Sequence, residues 1–555
     1  MARLHEYQGK ALLAREGIAI PRGRAAASAD EAAAVAREVA GPSGRVVIKV
    51  QAWTTNRKAI GGVAFADSPE QAAEHARRML AMKVGNFPVT HVLVEEALPI
   101  RDELFVSLFI DERERAPAIL VSLAGGSGIE ERTARGDAAV RRFPCDVAAG
   151  PDERALRDFL AGSTLARELH QPLLHAIRAV FAVARKNEAR SVEINPLVAT
   201  ADGRIVAADC RIAIDDYAVF RHPDLGIDIA RELDHPPTPL ERIAYAVEQA
   251  DHRGTFFFAQ MNTAPVPVPL GAGGGSATPG EVHPPDSHAS RRLIGFHGAG
   301  GGGSMMAMDA ITAEGFSLAN FCDTSGNPSP AKVYRAARII LAQSGLVGYF
   351  GSGSGVANQE QFWSAYGLAK AFWELNLDIP AVIRLGGNTE DRAVDILESA
   401  CRGLPGRVEG YRKTDPPARI AARFAALVAE AASHPRTAER APAAPAGAPC
   451  WQPRPPRRPP FVGSPAAISF PVRGGTVWID PAAWRSNAAA IIARSSGLLR
   501  DDHGRPALAV SPEEFAARDS EMIACEVECR RDGIDGVFVV LDIPGLDALV
   551  TGEAR

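Results

Sequence analysis

The 555-residue sequence predicts a multidomain protein of mixed α/β and α+β class. Residues 1–261 mix strand signals such as RVVIKVQA and HVLVEEAL, and the paired arms FVSLFID and APAILVSLA, with helices of 3.6-residue periodicity. Leu173, Ile177, Val180 and Phe181 mark one such helical stripe. Residues 291–433 repeat a different unit: LIGFHG, LVGYFG and PAVIRLGG each run into a Gly-rich turn and then a helix. That βα alternation predicts a parallel sheet with helices on both faces. Two low-complexity stretches, 262–290 rich in Pro, Gly and Ser and 434–460 rich in Pro, Ala and Arg, bury too little apolar surface to offset ordering entropy. They are expected to be flexible linkers. The last segment, 461–555, carries the strands TVWID and GVFVVLDI and a helix around Glu513 to Arg531, and is expected to be a small α+β domain of no recognised type.

Hydrophobic residues make up 46% and charged residues 23%, the balance of a soluble globular protein. A net charge of -5 gives no electrostatic reason to expect nucleic acid or an anionic membrane as partner. No apolar run approaches the roughly 20 residues that span a bilayer. The N-terminus reads as a polar amphipathic helix without a signal peptide's apolar core, so the expected location is the cytoplasm. Seven Cys over this length suggest reduced thiols. Cys525 and Cys529, on an expected helix, lack the second Cys or His pair of a zinc site and are expected in the core.

The richest segment is 191–215, SVEINPLVATADGRIVAADCRIAID. Alternating apolar residues and a Gly-containing turn predict a β-hairpin. With Ala201, Asp202 and Gly203 as a three-residue loop and Gly203 left-handed, Asn195 stands opposite Asp209, and Glu193 lies on the same face. One amide oxygen and one carboxylate then share a hard cation such as magnesium, which leaves its other positions to water and substrate phosphates. The alternative is a solvated polar face of an ordinary antiparallel sheet.

The motif EINPLV, with an Asp fourteen positions after its Asn, resembles the magnesium hairpin of the ATP-grasp domain in succinyl-CoA synthetase β subunits. LHEYQGKALLAREGIAIPRG, from Leu4 to Gly23, resembles that family's opening helix and the turn to its first strand, and the similarity continues with gaps to about Ala432. The resemblance implies an ATP-grasp nucleotide-binding domain in 1–261 and a flavodoxin-like CoA-ligase domain in 291–433. It implies Mg2+ on Asn195 and Asp209, ATP and CoA as cosubstrates, and a small carboxylic acid as substrate. It also implies an α-type partner subunit that binds most of the CoA and carries a phosphohistidine, which Glu193 orients. Lys49, on the strand VVIKV, matches the family's nucleotide lysine, and Glu95 and Glu103 match nucleotide-contacting positions.

The chain also departs from the family. Where a glycine-rich loop covers the phosphates, QAWTTNRKAIGGV sets Trp53, Thr54, Thr55 and Asn56, leaving Arg57, Lys58, Gly61 and Gly62. The two cations are expected to substitute in part for backbone N–H groups. In GFHGAGGGGSMMAMDAI, Gly298, Gly300 and Gly303 form a GxGxxG with Asp323 about twenty residues on, which by itself reads as a dinucleotide fingerprint. The resemblance instead assigns this loop to the carboxylate substrate. The family has Asn where this chain has His297, leaving three roles open: an imidazolium for a carboxylate, a phosphoryl acceptor, or a plain loop residue. Gly351, Ser352, Gly353, Ser354 and Gly355 are expected between a strand and a helix, either as an anion site of free N–H groups and helix dipole or as simple turn chemistry. Arg384 and Asn388 match the family's RL-x-GN pattern, with Thr389 as the next helix's N-cap. The expected activity is that of an ADP-forming acid–CoA ligase β subunit, with succinate as default acid. The alternatives are malate or another dicarboxylate, another ATP-grasp ligase, and a non-catalytic nucleotide-binding regulatory subunit.

Overall fold

The computed structural model describes all residues except 1, 42, 43, 55, 56, 126–139, 232, 234, 252, 253, 262–291, 354–356, 434–453, 501–506, 508–510 and 552–555. The expected linker 262–290 and most of 434–460 lie outside the described residues, as do Thr55, Asn56, Ser354 and Gly355. The chain divides into two compact units, Met1–Pro236 and Pro237–Arg555, instead of three.

In the first unit, four antiparallel strands lie in the order Gly23–Ala26, Val92–Glu96, Val46–Val50 and Val63–Ala66. The helices Ala29–Val39 and Pro69–Leu80 each open on a serine whose hydroxyl accepts an N–H three residues on: Ser28 from Glu31 and Ser68 from Gln71, both at 3.2 Å. Ala32, Val35, Ala36 and Val39 form the apolar stripe of the first helix and share one core with Ile48, Val50, Val92 and Val94. Each such valine or isoleucine contributes roughly 1.5–3 kcal/mol by its burial. A larger, eight-stranded antiparallel sheet has Ile100–Asp111 beside Ala189–Thr200, with Ala116–Ser122 and Cys210–Ile214 on their outer sides. The helix His170–Lys186 packs on it and buries Leu173, Ile177 and Val180 at the expected spacing, with Phe181 half-buried.

The sheet of the second unit runs Phe257–Gln260, Asn320–Asp323, Leu293–Ala299, Gly348–Gly353, Ala381–Arg384, Val408–Tyr411. Its last five strands are parallel, and numbered along the chain they stand in the order 2-1-3-4-5, the flavodoxin-like topology. The first strand is an antiparallel addition contributed by residues expected in the preceding domain.

The C-terminal segment is not an independent domain. Its strands Ile468–Val472, Gly475–Ile479 and Val537–Leu541 form an antiparallel sheet, and its helix Asp519–Arg531 lies along Phe362–Glu374. Phe470, Trp484, Met522 and Val539 share one core with Tyr334, Phe372 and Leu397. A buried ion network crosses the same seam: Lys370 Nζ donates to Glu374 and Glu526, each at 2.6 Å. Cys525 and Cys529 lie in this core with their sulfurs 4.0 Å apart. Among the described residues, no helix is long and apolar enough to cross a membrane.

Candidate functional site

The hairpin forms in the expected register. Ala199 pairs with Ile205 and Glu193 with Arg211, and Gly203 takes φ +84 in a turn that favours glycine. Asn195 therefore stands opposite Asp209, its N–H donating to the Asp209 carbonyl at 3.2 Å. Glu193 is half-buried, with Oε1 4.0 Å from Arg211.

Around Ala208 and Asp209 the first unit gathers three cations and three carboxylates. Lys49 Nζ donates to the Ala208 carbonyl at 2.6 Å and to Glu6 Oε1 at 2.8 Å, and lies 2.9 Å from Glu95 Oε2. Lys10 Nζ donates to both Glu95 oxygens, at 2.6 and 2.7 Å, and to the Ala208 carbonyl at 2.8 Å. Arg57 is two-pronged: Nη1 donates to Glu6 Oε2 at 2.5 Å, and Nη2 donates to Asp209 Oδ2. Burial by itself opposes the charge of each buried group. Lys10, Lys49 and Arg57 nevertheless hold the Glu6 carboxyl well below the usual range. Glu6, Glu95 and Asp209 likewise hold the Lys49 ammonium above its ordinary value. Burial and Glu6 push the Asp209 carboxyl up, against the pull of Arg57 and Lys49.

Two members of this cluster, Glu6 and Lys10, are absent from the expected site residues. The helix Glu6–Arg15 buries Glu6, Gly9, Lys10 and Leu13, the i, i+3, i+4, i+7 stripe that packs on the hairpin. A Cβ on Gly9 would lie 2.8 Å from Cys210 Sγ, so the helix approaches the hairpin closely. Glu95 is buried with its oxygens spent on Lys10 and Lys49, which leaves them closed to a ribose or adenine. Glu103 is exposed on the strand Ile100–Asp111 and is not brought into the cluster among the described residues; Lys58 is exposed in the turn after the altered loop. In that loop Trp53 stacks on His5, with ring centroids 4.8 Å apart, and meets Phe87 edge-on.

Whether the hairpin suits a magnesium ion can be read from its donors. Asp209 Oδ1 is buried without a hydrogen-bond partner among the described residues, and Asn195 lies across from it. Among the described residues, no group of three or more His, Cys, Asp or Glu side chains has the arrangement to hold a metal. A carboxylate and an amide fit the sparse protein ligation that magnesium accepts when phosphates and water complete its shell.

The second unit has a pocket at the C-terminal ends of adjacent strands, where the strand order reverses. His297, Thr324, Ser352, Gln361 and Arg384 line it. His297 lies within the strand Leu293–Ala299, not in a loop. Its Nδ1 is 2.5 Å from the Tyr349 hydroxyl and its Nε2 3.0 Å from Thr324 Oγ1. Burial drives its pKa down to about 4, which favours a neutral ring near pH 7 over the expected imidazolium.

Gly351, Ser352 and Gly353 also belong to a strand, Gly348–Gly353, paired on both sides. The next helix starts only at Phe362, so these glycines do not form a helix-start anion site. Crowding explains them: a Cβ on Gly351 would lie 2.8 Å from Ile383. Asp323 accepts N–H groups from Gly300 at 3.0 Å and Ser325 at 2.8 Å, which ties it to shaping the loop instead of to a ribose. Arg384 donates to the carbonyls of Gly353, Arg412 and Lys413. Thr389 precedes the helix Glu390–Ala400 in the left-handed region and does not cap it with its side chain; the hydroxyl donates to the Asn388 carbonyl.

Residues 3–199 match the family described as ATP-grasp domain. The chain is 32% identical over 396 residues to a succinate–CoA ligase [GDP-forming] β subunit of Thermus thermophilus, covering 71% of this chain and 93% of that protein. A probable malate–CoA ligase β subunit of Mesorhizobium japonicum is 30% identical, covering 71% and 91% respectively. In fold, the chain is similar to ATP citrate lyase from Methanothrix soehngenii in complex with citrate and coenzyme A, with TM-score 0.57 and 17% identity over 76% of this chain and 99% of the other. The chain belongs to the succinate–CoA ligase β-subunit family.

Proposed function

We infer that the chain is the nucleotide-binding β-type subunit of an ATP-dependent, ADP-forming acid–CoA ligase. The observation that carries this is the meeting of Lys49, Arg57 and Asp209 at a hairpin that also presents Asn195, in a chain 32% identical to a succinate–CoA ligase β subunit. A free carboxylate resists thiol attack because its oxygen leaves poorly. The γ-phosphoryl group of ATP passes to a histidine of an α-type partner and then to the carboxylate, giving ADP and an acyl phosphate. The CoA thiolate adds to the acyl carbon and inorganic phosphate leaves, giving the thioester. Lys49, Arg57 and Lys58 neutralise phosphate oxygens, and Glu193 orients the partner's imidazole. Asn195 and Asp209 would hold magnesium, which when bound would supply further neutralisation of phosphate charge. Positioning and electrostatics of this kind are the protein's main contribution to phosphoryl transfer.

The acid is assigned to the second-unit pocket, where Arg384 is the charged side chain among the described lining residues. His297, held by Tyr349 and Thr324, lines the same pocket. Succinate is the acid named by most of the relatives. A second reading, malate, is favoured by Ser352 Oγ, which is buried without a partner among the described residues and which a substrate hydroxyl would satisfy.

Co-expression with an α-type chain and incubation with γ-labelled ATP is expected to give an acid-labile phosphohistidine on the partner, discharged by a dicarboxylate with CoA. Absence of label, together with no CoA-dependent ADP release across a panel of acids, contradicts the assignment. Ser352→Ala is expected to lower kcat/KM for malate about 10-fold relative to succinate if malate is the substrate, the scale of one lost hydrogen bond.

A further inference from the structure

Arg57 occupies the place where the metal and the nucleotide would compete for charge. One guanidinium nitrogen holds Glu6 and the other holds Asp209, so that Asp209 has one oxygen engaged and one buried without a partner. The backbone that carries Arg57 is anchored: Gly62 N–H donates to the Arg57 carbonyl at 2.8 Å, and Val50 N–H to the Gly62 carbonyl at 2.8 Å. Glu6, Glu95 and Asp209 balance Lys10, Lys49 and Arg57, so the cluster is neutral as it stands.

We propose that Arg57 is a positioning residue that serves as resident counter-cation of Asp209 and exchanges that carboxylate for a nucleotide phosphate when metal and nucleotide bind together. This rests on Asn195 and Asp209 being the magnesium ligands. A divalent ion alone can enter at Asp209 Oδ1, but it then shares one carboxylate charge with the guanidinium held on Oδ2. Nucleotide alone meets an arginine already neutralised on both prongs. Together they satisfy every group: the ion takes Asp209, the released prong takes a phosphate oxygen, and Glu6 keeps hold of the other prong. The fork geometry of guanidinium suits this, since carboxylate and phosphate offer it the same pair of acceptors. The arrangement makes metal and nucleotide binding mutually reinforcing, and by linkage each raises the affinity of the other by the same factor.

The test is Mn2+ binding to the purified full chain, followed by electron paramagnetic resonance, with and without a non-hydrolysable ATP analogue. For wild type, the analogue is expected to tighten Mn2+ binding at least 10-fold. Arg57→Met is expected to tighten Mn2+ binding about 10-fold without analogue and to reduce the analogue's effect below 3-fold. Arg57→Lys, a point charge that cannot span both carboxylates, is expected to fall between. If wild type shows the analogue effect and Arg57→Met binds Mn2+ no more tightly than wild type, the exchange is wrong and the metal assignment stands. If wild type binds Mn2+ in neither condition, the metal assignment fails and takes this proposal with it.

Discussion

The two units each bury a network of Lys, Arg and Glu side chains, and the two networks differ in one respect. In the second unit Lys370, Glu374, Glu526 and Arg338 are all 2% exposed or less, and Tyr334 donates to Glu374 at 2.5 Å within the same core. In the first unit Glu6 and Lys10 are as deeply buried, but Lys49 and Arg57 are 12% and Asp209 29% exposed. Both contain buried polar atoms without a partner among the described residues: Asp209 Oδ1 in one, Glu526 Oε1 and Arg338 Nη2 in the other. An orphaned atom therefore does not identify a site by itself. What separates them is a graded edge, from sealed anchors to partly open charges. The sealed network instead fastens the C-terminal segment, and such networks add specificity of packing at a cost in desolvation.

Substitutions break the comparison in order of expected effect. Lys370→Met leaves Glu374 and Glu526 without their shared cation and is expected to destabilise the fold by about 3 kcal/mol, the scale of a buried pair broken on one side. Urea denaturation measures it, and nucleotide affinity of the remaining folded protein is expected to stay within 2-fold. Lys49→Met is expected to weaken nucleotide binding 10- to 100-fold, about 1.5–3 kcal/mol for hydrogen bonds to a charged group. An unchanged calorimetric affinity removes Lys49 from the phosphate site.

A smaller effect is pH-dependent. Burial and the neighbouring Glu374 push the Glu526 carboxyl up to about 7, against the pull of Lys370. The folded state then binds this proton more tightly than the unfolded state. The contribution of Glu526 to stability is greatest below its ordinary value of 4.5 and is lost as pH rises from there toward 7. The slope is at most about 1.4 kcal/mol per pH unit. Glu526→Gln is expected to flatten the stability profile across that window; an unaltered profile contradicts the shift.

The hairpin was legible because its turn chemistry and period-two alternation are local, and Gly203 sets the register that brings Asn195 to Asp209. The flavodoxin-like order followed from repeated βα units and a family resemblance. Glu6 and Lys10 were hidden because a charged i, i+4 pair normally lies on a solvated face, whereas here the close packing of Gly9 on Cys210 turns that face inward. The glycines at 351 and 353 read as a turn because composition cannot distinguish a left-handed residue from one crowded by a neighbouring strand. The C-terminal segment looked separate because the partner of Glu526, Lys370, lies 156 residues earlier in the chain.

The central claim is that the open-edged network is the nucleotide site. Isothermal titration of Mg·ATP into wild-type and Asp209→Asn chains, each shown to be folded by circular dichroism, tests it most directly. The account predicts binding to wild type and at least a 10-fold loss in Asp209→Asn. Equal affinity in the two chains contradicts it.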